Sequence, residues 1–294
     1  MSKGQRIFVK ITRETLPQVK DRYPFIYLEH GKLVVDDSSV KWIDSSSEVI
    51  RLPIATINSL FLGPGTSVTH EVIKTLASAN CSIFWVGEDC LLFYAMGDTP
   101  TADTRNFRYQ MELACSPSHR IEVARRMFSH RFPNEDISKK NLKELMGMEG
   151  KRVKASYEAM ALKYQVGWTG RSFIPGKFQM STLTNQILTV CNAAMYGIVS
   201  AVIHSLGYSP HIGFVHTGSP LPFVYDIADL YKDEISIDLA FSLTKRLAGV
   251  YDKATVSENF RERIRDVDLL RRIAVDIPKI LGEKNGYRSS KFSS

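Results

Sequence analysis

One change of hydrophobic period constrains this chain more than any other feature. Up to about residue 96, short β-branched and aromatic runs alternate apolar with polar; from about Asp103, apolar residues recur three or four apart. Strand-forming sequence therefore comes first and helix-forming sequence follows. The pattern predicts an α+β protein: a small amino-terminal β domain, its sheet folded on itself in a β-sandwich-like way, and a larger all-α carboxy-terminal domain.

Segments 25–29 and 32–36 flank His30-Gly31, a two-residue turn with glycine where positive φ is wanted, which predicts a hairpin. Further strands are expected at 40–43, 48–52, 57–62, 82–86 and 91–95, separated by Asp-Asp, Ser-Ser-Ser, Gly-Pro-Gly and Gly-Glu-Asp, with one helix at 69–79. The helical part predicts segments 105–115, 117–132, 138–145, 151–164, 182–206, 222–232 and 237–247, broken at Gly or Pro. The expected organisation is a β domain over 1–96, a linker at 97–102, a helical domain over 103–282 and a flexible tail at 283–294. No internal repeat is visible.

Charge follows the same division. The 294 residues carry 38 Lys plus Arg against 31 Asp plus Glu, a net charge of +7. Residues 1–96 hold ten of each sign and residues 97–294 hold 28 against 21, so the whole excess lies in the helical part. That asymmetry points to a polyanion bound there. Mean hydropathy of -0.13 with 23% charged residues is too apolar for disorder and too charged for a membrane protein. The stretch 187–206 is interrupted by Thr189, Asn192, Ser200, His204 and Ser205 and reads as a buried helix, not a membrane span. No signal peptide is visible at the amino terminus, and a cytoplasmic protein is expected. Cys81, Cys90, Cys115 and Cys191 lack the close pairs of a zinc site and are expected to be buried thiols in a reducing compartment.

Few residues suggest chemistry by themselves. Cys115 and His119, four apart on an expected helix, are a weak thiol pair, and no glycine-rich nucleotide loop occurs. The segment 211–232 is more informative. His216 sits in a loop between Gly213 and Gly218, Pro222 opens a helix, and Asp226 and Asp229 are three apart on one face of it. Carboxylates on so apolar a helix are costly to bury unpaired. Either an Arg or Lys pairs with each, or a divalent cation is held by the acids and the imidazole, a donor set suited to magnesium or manganese. Spacing alone leaves both open. Upstream, Glu149 stands near Gly147 and Gly150 at the expected start of the helix at 151, where the helix dipole favours an acid. Arg120, Arg125, Arg126, Arg131, Lys139, Lys140, Lys143, Lys151, Arg152 and Lys154 surround it in sequence, as a phosphate-binding surface would.

The strings GFVHTGSPLPFVYDIADLYK, GMEGKRVKASY and FIYLEHGKLVVDD together resemble the CRISPR-associated adaptation integrases, in the form found with type I-E systems, over about 24–281. The resemblance implies a metal-dependent DNA endonuclease and integrase of antiviral defence. Such an enzyme uses Mg2+ or Mn2+ and inserts short foreign DNA fragments as spacers into a repeat array, by 3′-hydroxyl attack on a phosphodiester. It further implies a homodimer joined partly through the β domains, and a small dimeric adaptation partner with which the enzyme forms a 4:2 complex. Carried over by motif, Glu149, His216 and Asp229 are the metal ligands, and Asp226 is a further acid of the catalytic set. Tyr196 and Tyr225 match aromatic positions near the site, and Phe173 replaces a Tyr that relatives place near the DNA end. It keeps a stacking face and loses the hydroxyl. Candidate DNA-binding residues are Arg120, Arg125, Arg126, Lys151, Arg152, Arg171, Lys245 and Arg246. The competing readings are a non-catalytic DNA-binding scaffold and a metal-dependent nuclease acting on RNA or branched DNA.

Overall fold

The computed structural model describes residues 26–37, 39–57, 59–87, 93–97, 104–172 and 178–282. Its amino-terminal half contains eight strands among these residues: β1 (Ile26–Leu28), β2 (Gly31–Asp36), β3 (Ser39–Asp44), β4 (Val49–Leu52), β5 (Ser59–Leu62), β6 (Thr66–Val68), β7 (Ser82–Val86) and β8 (Phe93–Gly97), with helix α1 (His70–Ser78) between β6 and β7. They form two four-stranded sheets, ordered β1-β5-β7-β8 and β4-β3-β2-β6. Leu33, Trp42, Leu60 and Ile83 from the two sheets and Leu76 from α1 share one core, which is the expected sandwich-like arrangement.

The pairing differs from the expected one. Segments 25–29 and 32–36 do not form a hairpin: β1 runs parallel to β5, whereas β2 pairs with β3, so His30-Gly31 carries the chain from one sheet to the other. The hairpin is β2–β3, with Asp36 opposite Ser39 and Asp37 at φ 50°. In the connection it is His30, not Gly31, that takes positive φ. Gly31 is required for room, because a Cβ there would meet the Trp42 ring and the Ile43 carbonyl.

The central strands β5 and β7 of the sheet β1-β5-β7-β8 are buried on both faces. On the second face Phe61 and Phe84 stack with ring centroids 5.0 Å apart and pack against Ala201 of α5 (Leu183–Ser205). That is why Ser59–Leu62 is buried throughout instead of alternating. The β half and the helical half are therefore docked. Gly97, the first residue of the expected linker, belongs to β8; the rest of the linker, the tail at 283–294 and Phe173 lie outside the described residues.

The helical half comprises α2 (Arg105–Cys115), α3 (Pro117–Arg131), α4 (Leu142–Tyr164), α5, α6 (Pro222–Ala228), α7 (Asp238–Leu247), α8 (Lys253–Asp266) and α9 (Leu269–Leu281), with a π turn at Asp233–Ile237 before α7. Helix α5 is long and apolar enough to cross a membrane, yet most of it is buried inside the protein. Ile187, Leu188, Met195, Val199 and Ile203 put it at the centre of the core. Its polar residues did mark a buried helix.

The largest departure is α4. The sequence predicts two helices broken near Gly147 and Gly150, but one helix runs through both. Asn141 and Glu144 form a reciprocal capping box that starts it, and fully buried Leu145 anchors its first turns. Two interior glycines cost roughly 1 kcal/mol each, less than such anchoring returns. Glu149 thus sits in mid-helix, beyond the first turn where the dipole acts, and the dipole account of it does not hold.

Candidate active site

Three elements converge on one cleft: the end of α3, the middle of α4, and the loop 211–221 with α6. The loop is built first. Fully buried Gln110 on α2 donates to the Ser209 and Ile212 carbonyls at 2.9 and 2.8 Å and accepts from the Ser209 N–H at 2.7 Å. Arg120 donates through Nε to the Phe214 carbonyl at 2.8 Å. Gly213 is needed for packing and not for ligand approach, since a Cβ there would lie 2.5 Å from the His216 carbonyl oxygen; around Gly218 the space is open.

Asp226 then fixes the loop from α6. Its Oδ2 accepts from the Phe214 and Val215 N–H groups at 2.6 and 3.2 Å, and its Oδ1 accepts from the His216 N–H at 2.9 Å. The fourth partner is the His216 ring, with Nδ1 2.8 Å from Oδ1. Asp226 is 3% exposed and its acceptor positions are occupied by loop 214–216. It stands behind His216, as a positioning residue. Because a carboxylate only accepts, Nδ1 carries the hydrogen, and Nε2 faces the cleft. There Nε2 is 3.7 Å from Asp229 Oδ2. Hydrogen bonding to Asp226 raises the His216 pKa despite partial burial, with Asp229 and Glu149 adding to the effect.

Asp229 lies at the C-cap of α6, not within the helix, and pairs with Lys232 three residues on. Glu149 pairs with Arg131, the last residue of α3. Burial raises the Glu149 pKa, Arg131 opposes the rise, and Asp229 adds to it. Arg131 also stands 3.6 Å from Asp233 Oδ2, and its side chain is only 6% exposed. Asp229 and Glu149 thus each have the basic partner that the ion-pair alternative requires, whereas Asp226 is held by backbone N–H groups and the His216 ring and by no Arg or Lys. Among the described residues, no group of three or more His, Cys, Asp or Glu side chains is arranged to hold a metal ion.

The cleft has a volume of about 290 Å³ and is walled by Tyr157, Arg171, Asn192, Tyr196 and Lys232 as well as Glu149 and Asp229. Tyr196 and Tyr225 meet edge to face at 4.9 Å, Tyr225 lies 6.1 Å from the His216 ring, and Lys232 Nζ sits 5.0 Å above Tyr196. Burial keeps the Tyr157 and Tyr225 hydroxyls above their usual pKa. Arg171 is held by Asn185 Oδ1 at 2.9 Å and Thr189 Oγ1 at 3.0 Å, and burial lowers its pKa.

The structure therefore brings Glu149, His216 and Asp229 to one pocket, with Asp226 behind His216; Glu149 and Asp229 also wall the adjoining cleft with Tyr196 and Arg171, and Tyr225 packs against both Tyr196 and His216. The other basic candidates stand elsewhere. Arg125 donates to the Lys140 carbonyl, Arg126 to the Ile280 carbonyl, Arg152 pairs with Glu135, and Lys245 reaches Gln165; Lys151 and Arg246 are exposed. Sequence reasoning missed Gln110, Tyr157 and Asp233, and took Arg131 for a surface charge. Lys232 carried a readable signal, its spacing from Asp229. The thiol pair dissolves, because Cys115 ends α2 while His119 belongs to α3. Cys115 is exposed, contrary to expectation; Cys81 and Cys191 are buried, burial pushing Cys191 up to about 12, and Cys90 lies outside the described residues.

A family model described as CRISPR associated protein Cas1 matches residues 129–261, which include the three candidate acids and the imidazole. The chain is 58% identical over 279 residues to CRISPR-associated endonuclease Cas1 2 of Chlorobaculum tepidum, covering 95% of this chain and 94% of that one. It is 35% identical over 235 residues to CRISPR-associated endonuclease Cas1 of Escherichia coli strain K12, covering 80% and 77%. A crystal structure of a TtCas1–DNA complex superposes with a TM-score of 0.73 at 33% identity, covering 91% of this chain and all of that one. With near-complete coverage at more than half identity, the chain belongs to the Cas1 family of CRISPR-associated proteins.

Proposed function

We propose that this chain is a divalent-metal-dependent DNA endonuclease and integrase of CRISPR adaptation, joining short DNA fragments to a repeat array. The observation that carries the reading is the Asp226–His216 arrangement, which turns the imidazole Nε2 toward Asp229 in the pocket that Glu149 also lines. Two carboxylates and an imidazole whose other nitrogen is held by a buried acid are the donors, and the support behind them, that a hexacoordinate divalent cation takes. By the chemistry of the donor set the residues fit the group, with Glu149, His216 and Asp229 as its holders once the ion pairs to Arg131 and Lys232 give way. A bound magnesium or manganese ion would supply charge stabilisation to the attacking and leaving oxygens of a phosphodiester.

The chain's own residues do the rest. Asp226 fixes the His216 ring and its tautomer. Arg171 and Lys232 present positive charge to a phosphate in the cleft, and burial beside Tyr157 and Tyr196 strengthens that attraction. With water as nucleophile the reaction is cleavage; with a fragment 3′-hydroxyl it is strand joining. The DNA bound by TtCas1 at 33% identity supports a DNA substrate, as does the positive excess of the helical half. The reading includes cytoplasmic action, a homodimer, and a 4:2 complex with a small dimeric adaptation partner. Edge strand β4, with Val49 and Ile50 about half exposed, supports self-association through the β half.

The test is an integration assay with the purified chain, its small partner, fragment duplex and a leader-repeat plasmid. His216→Ala and Asp229→Ala should each abolish joining in Mg2+ or Mn2+ while leaving a folded protein; full activity in both would sink the assignment. The scaffold reading is favoured by the ion pairs Arg131–Glu149 and Lys232–Asp229, and it requires DNA binding without chelator-sensitive joining.

A further inference from the structure

Arg131 is a poor candidate for a DNA-binding residue and a good one for something else. Its guanidinium is buried at the junction of both cavities around the site, against Glu149 on one side and 3.6 Å from Asp233 on the other. Its Nε is buried and makes no hydrogen bond. A guanidinium has five donors in a fixed fork, and one hydrogen bond to Glu149 with an ion pair at 3.6 Å to Asp233 satisfies it incompletely. Asp233 is equally incomplete: its Oδ1 is buried without a partner, although the side chain as a whole is 42% exposed.

Resting on the metal reading above, we propose that Arg131 and a divalent cation exchange on Glu149, with Asp233 as the acid that receives the displaced guanidinium. Glu149 cannot give its carboxylate fully to both cations. Arg131 therefore sets the metal concentration at which the site fills. Asp233 lowers the cost of filling it, since a guanidinium released into a buried cleft without a partner would be left as an uncompensated buried charge. Arg131 is thus a positioning residue that acts through Glu149. Its Nε and the open Asp233 Oδ1 are the unused donor and acceptor through which the two residues draw closer.

The experiment is calorimetric titration of the full-length protein with Mn2+ alone, without DNA, on Arg131→Gln, Asp233→Asn and the double variant. Arg131→Gln should bind Mn2+ roughly tenfold more tightly, on the scale of a coupling between sites, whereas a merely structural arginine would leave a weaker site. Asp233→Asn should bind severalfold more weakly, and it should have no effect once Arg131 is Gln. Equal weakening by Asp233→Asn in both backgrounds would reduce Asp233 to a nearby charge and overturn the exchange. So would unchanged affinity in Asp233→Asn. If Arg131→Gln does not fold by circular dichroism, Arg131→Lys replaces it as the second background, because an ammonium cannot bridge two carboxylates as a fork does. Mn2+ binding that survives His216→Ala would instead refute the site itself and the exchange with it.

Discussion

The His216 ring lies 2.8 Å from Asp226, and the same carboxylate holds the three consecutive N–H groups that shape the loop carrying His216. Loop and ring are fixed by one buried acid. Asp226→Asn keeps the volume but turns an amide NH2 toward groups that all donate. Metal affinity and strand joining should fall roughly ten- to a hundredfold, the usual cost of losing the group that orients a metal-binding histidine. The His216 pKa, followed by NMR, should drop from its raised value; an unmoved titration would show that another group sets it.

Two glycines of that loop give opposite outcomes. Gly213→Ala places a Cβ 2.5 Å from the His216 carbonyl oxygen and 2.7 Å from Pro222, contacts that neither neighbour can relieve. It should cost about 1–3 kcal/mol of stability and displace His216. Gly218→Ala meets open space and should be near neutral. Denaturant titrations of the two variants side by side decide the matter.

A methyl group added at Gly147 or Gly150 would find nothing within 4 Å, and both residues lie within continuous helix α4. Replacing either by Ala should stabilise the protein by about 0.5–1 kcal/mol, the ordinary helix-interior preference. Loss of stability would mean that the helix is broken there in solution.

Acid sensitivity should have an identifiable source at Asp276 on α9. Burial tends to raise its pKa, but hydrogen bonds from His130 and Tyr231 outweigh burial and hold it below the ordinary 3.8. A depressed carboxylate contributes stability that is present above its unfolded-state pKa and is lost as pH falls through its folded-state value. The advantage of the wild type over Asp276→Asn should therefore be constant at neutral pH and shrink below about pH 4. A difference independent of pH throughout the acid range would exclude this account.

Fold class was legible in the sequence because it rests on local patterns, whereas the grouping of Glu149 with His216 and Asp229 was implied only by the family resemblance. Hydrophobic period separated the strands from the helices, and the spacing of Asp226 and Asp229 placed both acids near His216. What stayed hidden depended on distant residues. The parallel pairing of β1 with β5 is decided by burial against α5 and α1, not by the turn at His30. The continuity of α4 is decided by a cap and a buried leucine that outweigh two glycines. Arg131 reads in sequence like its basic neighbours, and only the packing of α3 on α4 makes it the partner of Glu149. The different tasks of Asp226 and Asp229 are likewise invisible in their spacing, because they follow from which loop lies over which end of α6.

Helix α5 gives adjacent residues to two different surfaces. Tyr196 walls the cleft, while Gly197 and Ala201 on the same turns look onto Phe61 and the stacked pair beneath it. A 23-residue helix is about 34 Å of stiff rod, seated at one side on a sheet and at the other along the cleft. Any tilt imposed on that sheet is therefore a tilt of the cleft wall, so the β half and the cleft share one mechanical part.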